Sequence, residues 1–312
     1  MEQTVLGRTG LKVSIAGLGC GGHSRLGLPK FGEEHAAGVV RKAIELGVTF
    51  IDTATAYGTE GAVGRGLEGV PRDSYVVSSK FPYGFDGTFA PPEKLMSTLE
   101  DCLRLIRSDY VDIYHLHGLL PKDYAQAREM YFPVLQKAKE QGKLRFIGLT
   151  ERFAADTTHE MLMQAIADDA ADVVMVGYNM LNPSAAKTVL PAAKAKGIGV
   201  LNMFAVRSAL SDPVRLQANL DRIAERGQGG SGFTPTTDIF DFLMEQGAAA
   251  SVIEAAYRFC THTPGVDVTL TGTSNTDHLE ENLRAIAMPG LPDAALARLE
   301  TLFGNVDCAD SE

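Results

Sequence analysis

Residues Phe50 to Gly58 read FIDTATAYG, an apolar run that ends by presenting one carboxylate, Asp52, and shortly after it one phenol, Tyr57. The run begins at Val48, and the stretch before it, Glu34 to Leu46, has the spacing of an amphipathic helix closed by Gly47, a residue suited to the left-handed position just past a helix end. Outward from this segment the same strand-and-helix unit repeats. Strands are predicted at Val13 to Leu18, Val48 to Thr53, Tyr75 to Lys80, Val111 to Leu116, Leu144 to Leu149, Asp172 to Tyr178, Ile198 to Met203 and Val266 to Thr271. Helices are predicted at Glu34 to Leu46, Pro92 to Arg107, Tyr124 to Gln141, Thr158 to Asp168, Ser184 to Lys196 and Ser251 to His262. β-branched runs alternating with amphipathic stretches, without a Pro/Ser-rich linker, are the α/β pattern.

Eight near-continuous apolar strands suit a parallel sheet covered on both faces and closed by right-handed crossovers. The sequence therefore predicts one α/β domain over residues 1–312, a single (β/α)₈ TIM barrel. Residues 1–12, with Thr4 to Lys12 as a short N-terminal hairpin, would plug one mouth. Two further pieces exceed the repeat: a glycine-rich loop from Ser208 to Thr237, and a C-terminal tail, 291–312, with a helix over Asp293 to Phe303. An open, doubly wound sheet is the alternative. Its glycine fingerprint would fall on Gly17 to Gly22 (GLGCGG), a weak match.

With 312 residues, 45% of them hydrophobic, the chain can bury a large core. A net charge of −10 without any basic block gives no footprint for nucleic acid or an anionic membrane surface. The N-terminus lacks an apolar segment of signal-peptide length, and no run approaches the roughly 18 apolar residues of a membrane span. A cytoplasmic protein is expected. Cys20, Cys102, Cys260 and Cys308 are widely spaced and form no CxxC or CxxH pair, so neither a metal site nor a disulfide framework is expected. The oligomeric state is left open.

In a barrel the C-terminal strand ends share one mouth. Asp52 and Tyr57 would there meet Lys80, which ends YVVSSK, and His117, which ends YVDIYHLH. Singly, each has an ordinary explanation: a cap, a solvated lysine, a core histidine. Arriving at three successive strand ends, they fit one task. A tyrosine that protonates a carbonyl oxygen needs its pKa of about 10 drawn toward the working pH by positive charge. Lys80 would supply that charge, Asp52 would orient Lys80, His117 would steer the carbonyl oxygen, and Tyr57 would be the general acid.

These segments, with LGRTGLKVS, GLGCGG, GKLRFIGLT and GTSNTDHLEENLRA, resemble the aldo-keto reductases over nearly the whole chain. The resemblance implies a (β/α)₈ barrel that binds an extended nicotinamide dinucleotide without a Rossmann domain. It implies an oxidoreductase of the alcohol dehydrogenase and carbonyl reductase type (EC 1.1.1 class), acting on a small-molecule aldehyde, ketone or sugar carbonyl or the matching alcohol. By position, the catalytic set falls on Asp52, Tyr57, Lys80 and His117. Cofactor contacts are implied at Gly21, Gly22 and Asp52. Thr150 and Glu151 stand where the family has Ser-Asn for the carboxamide, and Met175 where it has Gln. Met203 or Phe204 would stack on nicotinamide. Ser208 would open a clamp whose glycines (Gly227, Gly229, Gly230 and Gly232) let it close over the pyrophosphate. Gly272 and His278 fall where cations often hold a 2′-phosphate, with Thr273, Ser274 and Asn275 as neutral donors at an open helix N-terminus, and Glu281 and Asn282 near adenine. The family favours NADP(H); the missing cations leave NAD(H) open. Gly118 stands where some members carry Trp, which removes an aromatic wall. Two other classes compete: a nucleotide-binding regulatory barrel, and a lyase using Lys80 as a Schiff-base amine.

Overall fold

The computed structural model describes residues 1–84 and 88–309. Its eight barrel strands are β3 (Ala16–Gly19), β4 (Phe50–Asp52), β5 (Val76–Phe81), β6 (Val111–Leu119), β7 (Leu144–Glu151), β8 (Val173–Gly177), β9 (Gly199–Met203) and β10 (Val268–Thr271). Each pairs in parallel with the next, and β10 closes on β3. The predicted barrel is what forms. Side chains alternate between the barrel interior and the surrounding helices, which is why each strand reads as almost wholly apolar. Phe50, Val76, Ile113, Val173, Leu201 and Val268 pack in one interior cluster.

Before the barrel, β1 (Gln3–Val5) and β2 (Lys12–Ser14) make the predicted hairpin, with Thr4 opposite Val13. Leu6, Leu11 and Val13 join the interior cluster, so the hairpin plugs that end. Val13 therefore belongs to the hairpin, and the barrel strand begins only at Ala16. Ser14 makes the corner: its hydroxyl donates to the Ala16 carbonyl, and its backbone N–H donates to Thr49 Oγ1. GLGCGG fits the letters G-x-G-x-x-G, yet a 3₁₀ turn at Arg25–Gly27 follows it rather than the crossover helix that a dinucleotide fingerprint requires.

The helices are α1 (Leu28–Phe31), α2 (Glu33–Glu45), α3 (Glu60–Gly66), α4 (Pro92–Ile106), α5 (Pro121–Glu140), α6 (Glu160–Ala167), α7 (Val189–Ala195), α8 (Arg207–Ser211), α9 (Pro213–Glu225), α10 (Asp241–Glu245), α11 (Val252–Thr261), α12 (Thr276–Ala287) and α13 (Asp293–Phe303). Gly47, Gly142 and Gly197 follow their helices with φ of 84°, 73° and 65°, as their C′ placement requires. Ser184 to Lys196 is not one helix, because a 3₁₀ turn at Ser184–Lys187 precedes α7.

The segment Ser208 to Thr237 is a correction to the predicted loop. Most of its first half is helical: Asp212 caps α9 through the Val214 N–H, and Pro213 occupies the first helical position. Its glycines come after α9, and one of them, Gly230, meets the C-terminal helix. The Gly230 N–H donates to the Leu302 carbonyl, and a Cβ on Gly230 would lie 1.8 Å from the Thr301 carbonyl oxygen. Gly230 thus permits close docking of α13, Gly229 packs on Phe233, and a Cβ on Gly227 or Gly232 would meet nothing within 4 Å. Leu220, Ile223, Phe240, Leu243, Leu299 and Phe303 there form a second core beside the barrel. The tail packs as far as Ala309; residues 310–312 lie outside the described residues. Among the described residues no helix is long and apolar enough to cross a membrane, and no cluster of His, Cys, Asp or Glu could hold a metal.

Candidate active site

Asp52 is the last residue of β4, Tyr57 ends the 3₁₀ turn Thr55–Tyr57, Lys80 lies near the end of β5, and His117 lies near the end of β6. Register fixes their height, with Asp52 opposite Ser78 and Lys80 opposite His115. The structure brings all four together. Lys80 is fully buried; its Nζ donates to Asp52 Oδ2 at 2.6 Å and to the Thr53 carbonyl at 2.7 Å. Ser78 Oγ donates to the other Asp52 oxygen at 2.9 Å. Nζ also lies 5.0 Å from the Tyr57 ring centroid. Tyr57 Oη stands 3.4 Å from His117 Nε2, and the two rings meet edge to face.

A lysine taken out of water loses its charge unless partners compensate. Here burial works to lower the Lys80 pKa, but Asp52 and the Tyr57 phenol outweigh it, and the amine sits above its ordinary value. The Tyr57 phenol departs from expectation. Burial raises its pKa more than Lys80 and Arg207 pull it back, so it lies above the ordinary tyrosine value rather than below. Burial and then Lys80 push His117 down to about 3, leaving a neutral imidazole.

The four residues stand at one end of a long cleft. A cavity of about 580 Å³ is lined by Asp52, Tyr57, His117, Thr150 and Phe204 among others. A second, of about 570 Å³, runs along α11 and α12 and shares Val206, Arg207, Ser211, Tyr257 and Gly272 with the first. Of the residues expected at a cofactor, Gly21, Gly22, Thr150, Met175, Met203, Phe204, Ser208 and Gly272 line the first cavity. Gly272, Thr273, His278, Glu281 and Asn282 line the second. Asn282 Nδ2 donates to Thr271 Oγ1, which also bonds the Tyr257 hydroxyl.

Four expected contacts change in character. Gly21 packs on the Tyr57 ring, where a Cβ would approach within 2.6 Å. Glu151 contributes to the wall, but its carboxyl group is wholly shielded, lying 2.9 Å from His159 Nδ1 and accepting from the Gly177 N–H. Ser274 lines neither cavity, and its carbonyl bonds His35 Nε2. The α12 N-terminus is not open: Asn275 Oδ1 accepts from the Asp277 and His278 N–H groups. Gly272 lacks a cation for a steric reason, since a Cβ there would lie 2.3 Å from the Gly19 carbonyl oxygen.

Residues the sequence reading misses also line the cleft: Phe153, Arg207, Tyr257 and Arg284. Phe153 and Phe204 meet at 5.8 Å with their rings tilted by 34° and form an aromatic stretch of the first cavity's wall. Phe204 and Arg207 have φ of 67° and 38°, a conformation that bulky residues seldom adopt and that clusters at functional sites. A lone arginine just past an apolar strand was the available signal.

The sequence profile of the Aldo/keto reductase family matches residues 18–303. L-galactose dehydrogenase from Arabidopsis thaliana is 28% identical over 324 residues, covering 97% of this chain and 94% of that protein. "Probable aldo-keto reductase 1" from Glycine max is 26% identical over 319 residues, covering 92% of this chain and 85% of that protein. The solved structure of aldo-keto reductase AKR11C1 from Bacillus halodurans, in its holo form, superposes with a TM-score of 0.73 at 22% identity, covering 98% of this chain and 97% of that one. A closed parallel barrel with a plugging hairpin, a buried Lys–Asp pair beneath a tyrosine, and a profile match from the first barrel strand to the last helix together establish that this chain belongs to the aldo/keto reductase family of NAD(P)-linked oxidoreductases.

Proposed function

We propose that this protein interconverts an aldehyde, ketone or sugar carbonyl and its alcohol, with Tyr57 exchanging the proton. The observation that carries the reading is Tyr57 Oη within 3.4 Å of His117 Nε2 beside the buried Lys80–Asp52 pair. The cleft fits an extended dinucleotide, since its two cavities adjoin through Arg207 and Tyr257 and offer polar and aromatic groups along their length. When bound, the nicotinamide cofactor supplies or accepts the hydride.

The chain's own residues do the rest. Tyr57, above its ordinary pKa, holds its proton at neutral pH and gives it to the carbonyl oxygen during reduction. Lys80 uses two of its N–H groups on Asp52 and Thr53, which leaves one for the phenol oxygen. His117, neutral, presents Nε2 beside the same oxygen. Thr150 and Met203 line the nicotinamide half, and Tyr257, His278, Glu281 and Asn282 the adenosine half. NADP(H) is the favoured cofactor, with Arg207 and Arg284 as the cations along the cleft. A Schiff-base role for Lys80 is disfavoured because Asp52 keeps the amine charged.

The relative named L-galactose dehydrogenase makes aldoses the first substrates to test. The deciding experiment assays aldoses, aldehydes and ketones with both cofactors, for wild type and Tyr57→Phe. Turnover should vanish in the variant while dinucleotide binding persists. Normal turnover without the phenol rejects the mechanism, and a large preference for NADH overturns the cofactor assignment.

A further inference from the structure

Behind the wall of the first cavity runs a buried chain of polar side chains that the reaction above does not use. Glu151 Oε1 accepts from the Gly177 N–H at 2.8 Å, and Oε2 lies 2.9 Å from His159 Nδ1. His159 Nε2 lies 2.9 Å from Ser184 Oγ, which is 2.5 Å from Asn182 Oδ1. Asn182 Nδ2 donates to the Ala309 carbonyl at 3.0 Å and to the Thr157 carbonyl at 3.3 Å. The chain thus runs from the pocket wall to the C-terminal tail.

Hydrogen-bond directions follow from the far end inward. Two carbonyl acceptors fix the Asn182 amide with its nitrogen toward the tail, so its oxygen faces Ser184 as an acceptor. The Ser184 hydroxyl must therefore donate outward, to Asn182, and accept from His159. That places a proton on Nε2, which cannot then act as a base toward Ser184. The arrangement is a fastening, not a nucleophile.

What it fastens is the aromatic wall. The Phe153 ring stacks on His159 at 5.6 Å, and Gly177 leaves room for it, since a Cβ there would lie 2.3 Å from the ring. Its other neighbour is Phe204, at 5.8 Å in the cavity. His159 itself has φ of 64° at the start of α6, a conformation held against its cost by these contacts.

We propose that His159 is a positioning residue for the nicotinamide half of the cleft: by clamping Glu151 and bearing the Phe153 ring, it sets the position of the Phe153–Phe204 wall. This rests on the reading of the cleft as a nicotinamide dinucleotide site. The role differs from fold maintenance because, through Phe153, it bears on one half of the cleft only.

The test compares binding of the preferred nicotinamide dinucleotide with that of ADP-ribose, or its 2′-phosphate, by calorimetry. His159→Gln should weaken the nicotinamide-bearing ligand about tenfold, the scale of one disrupted buried polar contact, while ADP-ribose binding stays unchanged. Ser184→Ala, a milder change, should shift in the same direction by less, and serves if the first variant fails to fold. Unchanged binding of both ligands overturns the proposal, as does equal loss of both, which would mark His159 as merely structural. A stable wild-type protein that binds ADP-ribose but no nicotinamide dinucleotide would instead sink the underlying reading.

Discussion

Gly21 stands against the face of Tyr57 so closely that a Cβ on it would lie 2.6 Å from the ring carbons Cε2 and Cζ. The backbone of Gly21 is not in the left-handed region, so alanine meets no conformational objection, only the phenol. Gly21→Ala should therefore displace Tyr57 and lower kcat by about a hundredfold, the usual effect of moving a reacting group by about 1 Å. Steady-state kinetics and a dinucleotide titration check this. A variant with normal kcat would show that the phenol position is not critical.

Lys80 and Asp52 form a wholly buried ion pair, and removing one member strands the other. Lys80→Met should cost about 3–5 kcal/mol of stability and abolish turnover. Adding Asp52→Asn should return part of the stability without returning turnover, because the phenol still lacks its cation. Urea unfolding and activity of both variants separate the effects. Turnover restored in the double variant would contradict the role given to Lys80.

The direction of the Tyr57 shift makes the two reaction directions differ in pH dependence. Reduction needs the protonated phenol, and with the pKa raised by burial that form prevails across neutral pH. Its rate should stay level and fall only above the ordinary tyrosine value of about 10. Oxidation needs the deprotonated oxygen, so its rate should climb with pH over the same range. Paired pH profiles with one substrate couple check this. Loss of reduction between pH 6 and pH 8 would mean that the cations win over burial.

The barrel and its four central residues were legible because both follow from local pattern. Apolar strands of similar length announce a doubly covered sheet, and Asp52, Lys80 and His117 sit on inward-facing positions at their ends. The sign of the Tyr57 shift was not legible, since it depends on how completely the helices and loops exclude water. The region after β9 was misread for a related reason. Its glycines suggest a mobile loop, whereas Gly230 makes a close backbone contact with α13, some seventy residues away; yet Asp212-Pro213 was a readable helix start. Glu151 shows a third kind of limit. Its place in the family pattern suggests a ligand contact, but its partner His159 lies across a loop without periodic signature and is itself the one left-handed residue there.

His115 and His117 lie on β6, the first buried and the second half-buried at the cavity, with Lys80 opposing charge on each. Burial first, then Lys80, lowers the His117 pKa to about 3 and holds His115 well below its ordinary value. In the unfolded chain both imidazoles titrate near about 6.5. Below that pH the unfolded state takes up protons that the folded state refuses, so stability is full above about pH 6.5 and falls as the pH drops toward the folded values. Each histidine should contribute a slope of up to about 1.4 kcal/mol per pH unit. Carboxylates titrate over the same range, so the informative quantity is the difference between wild type and variant. Urea unfolding at pH 7, 6 and 5 should show His117→Gln and His115→Leu each losing less stability on acidification than wild type does. Equal acid sensitivity in all three proteins would show that these imidazoles are free to take up protons in the folded state.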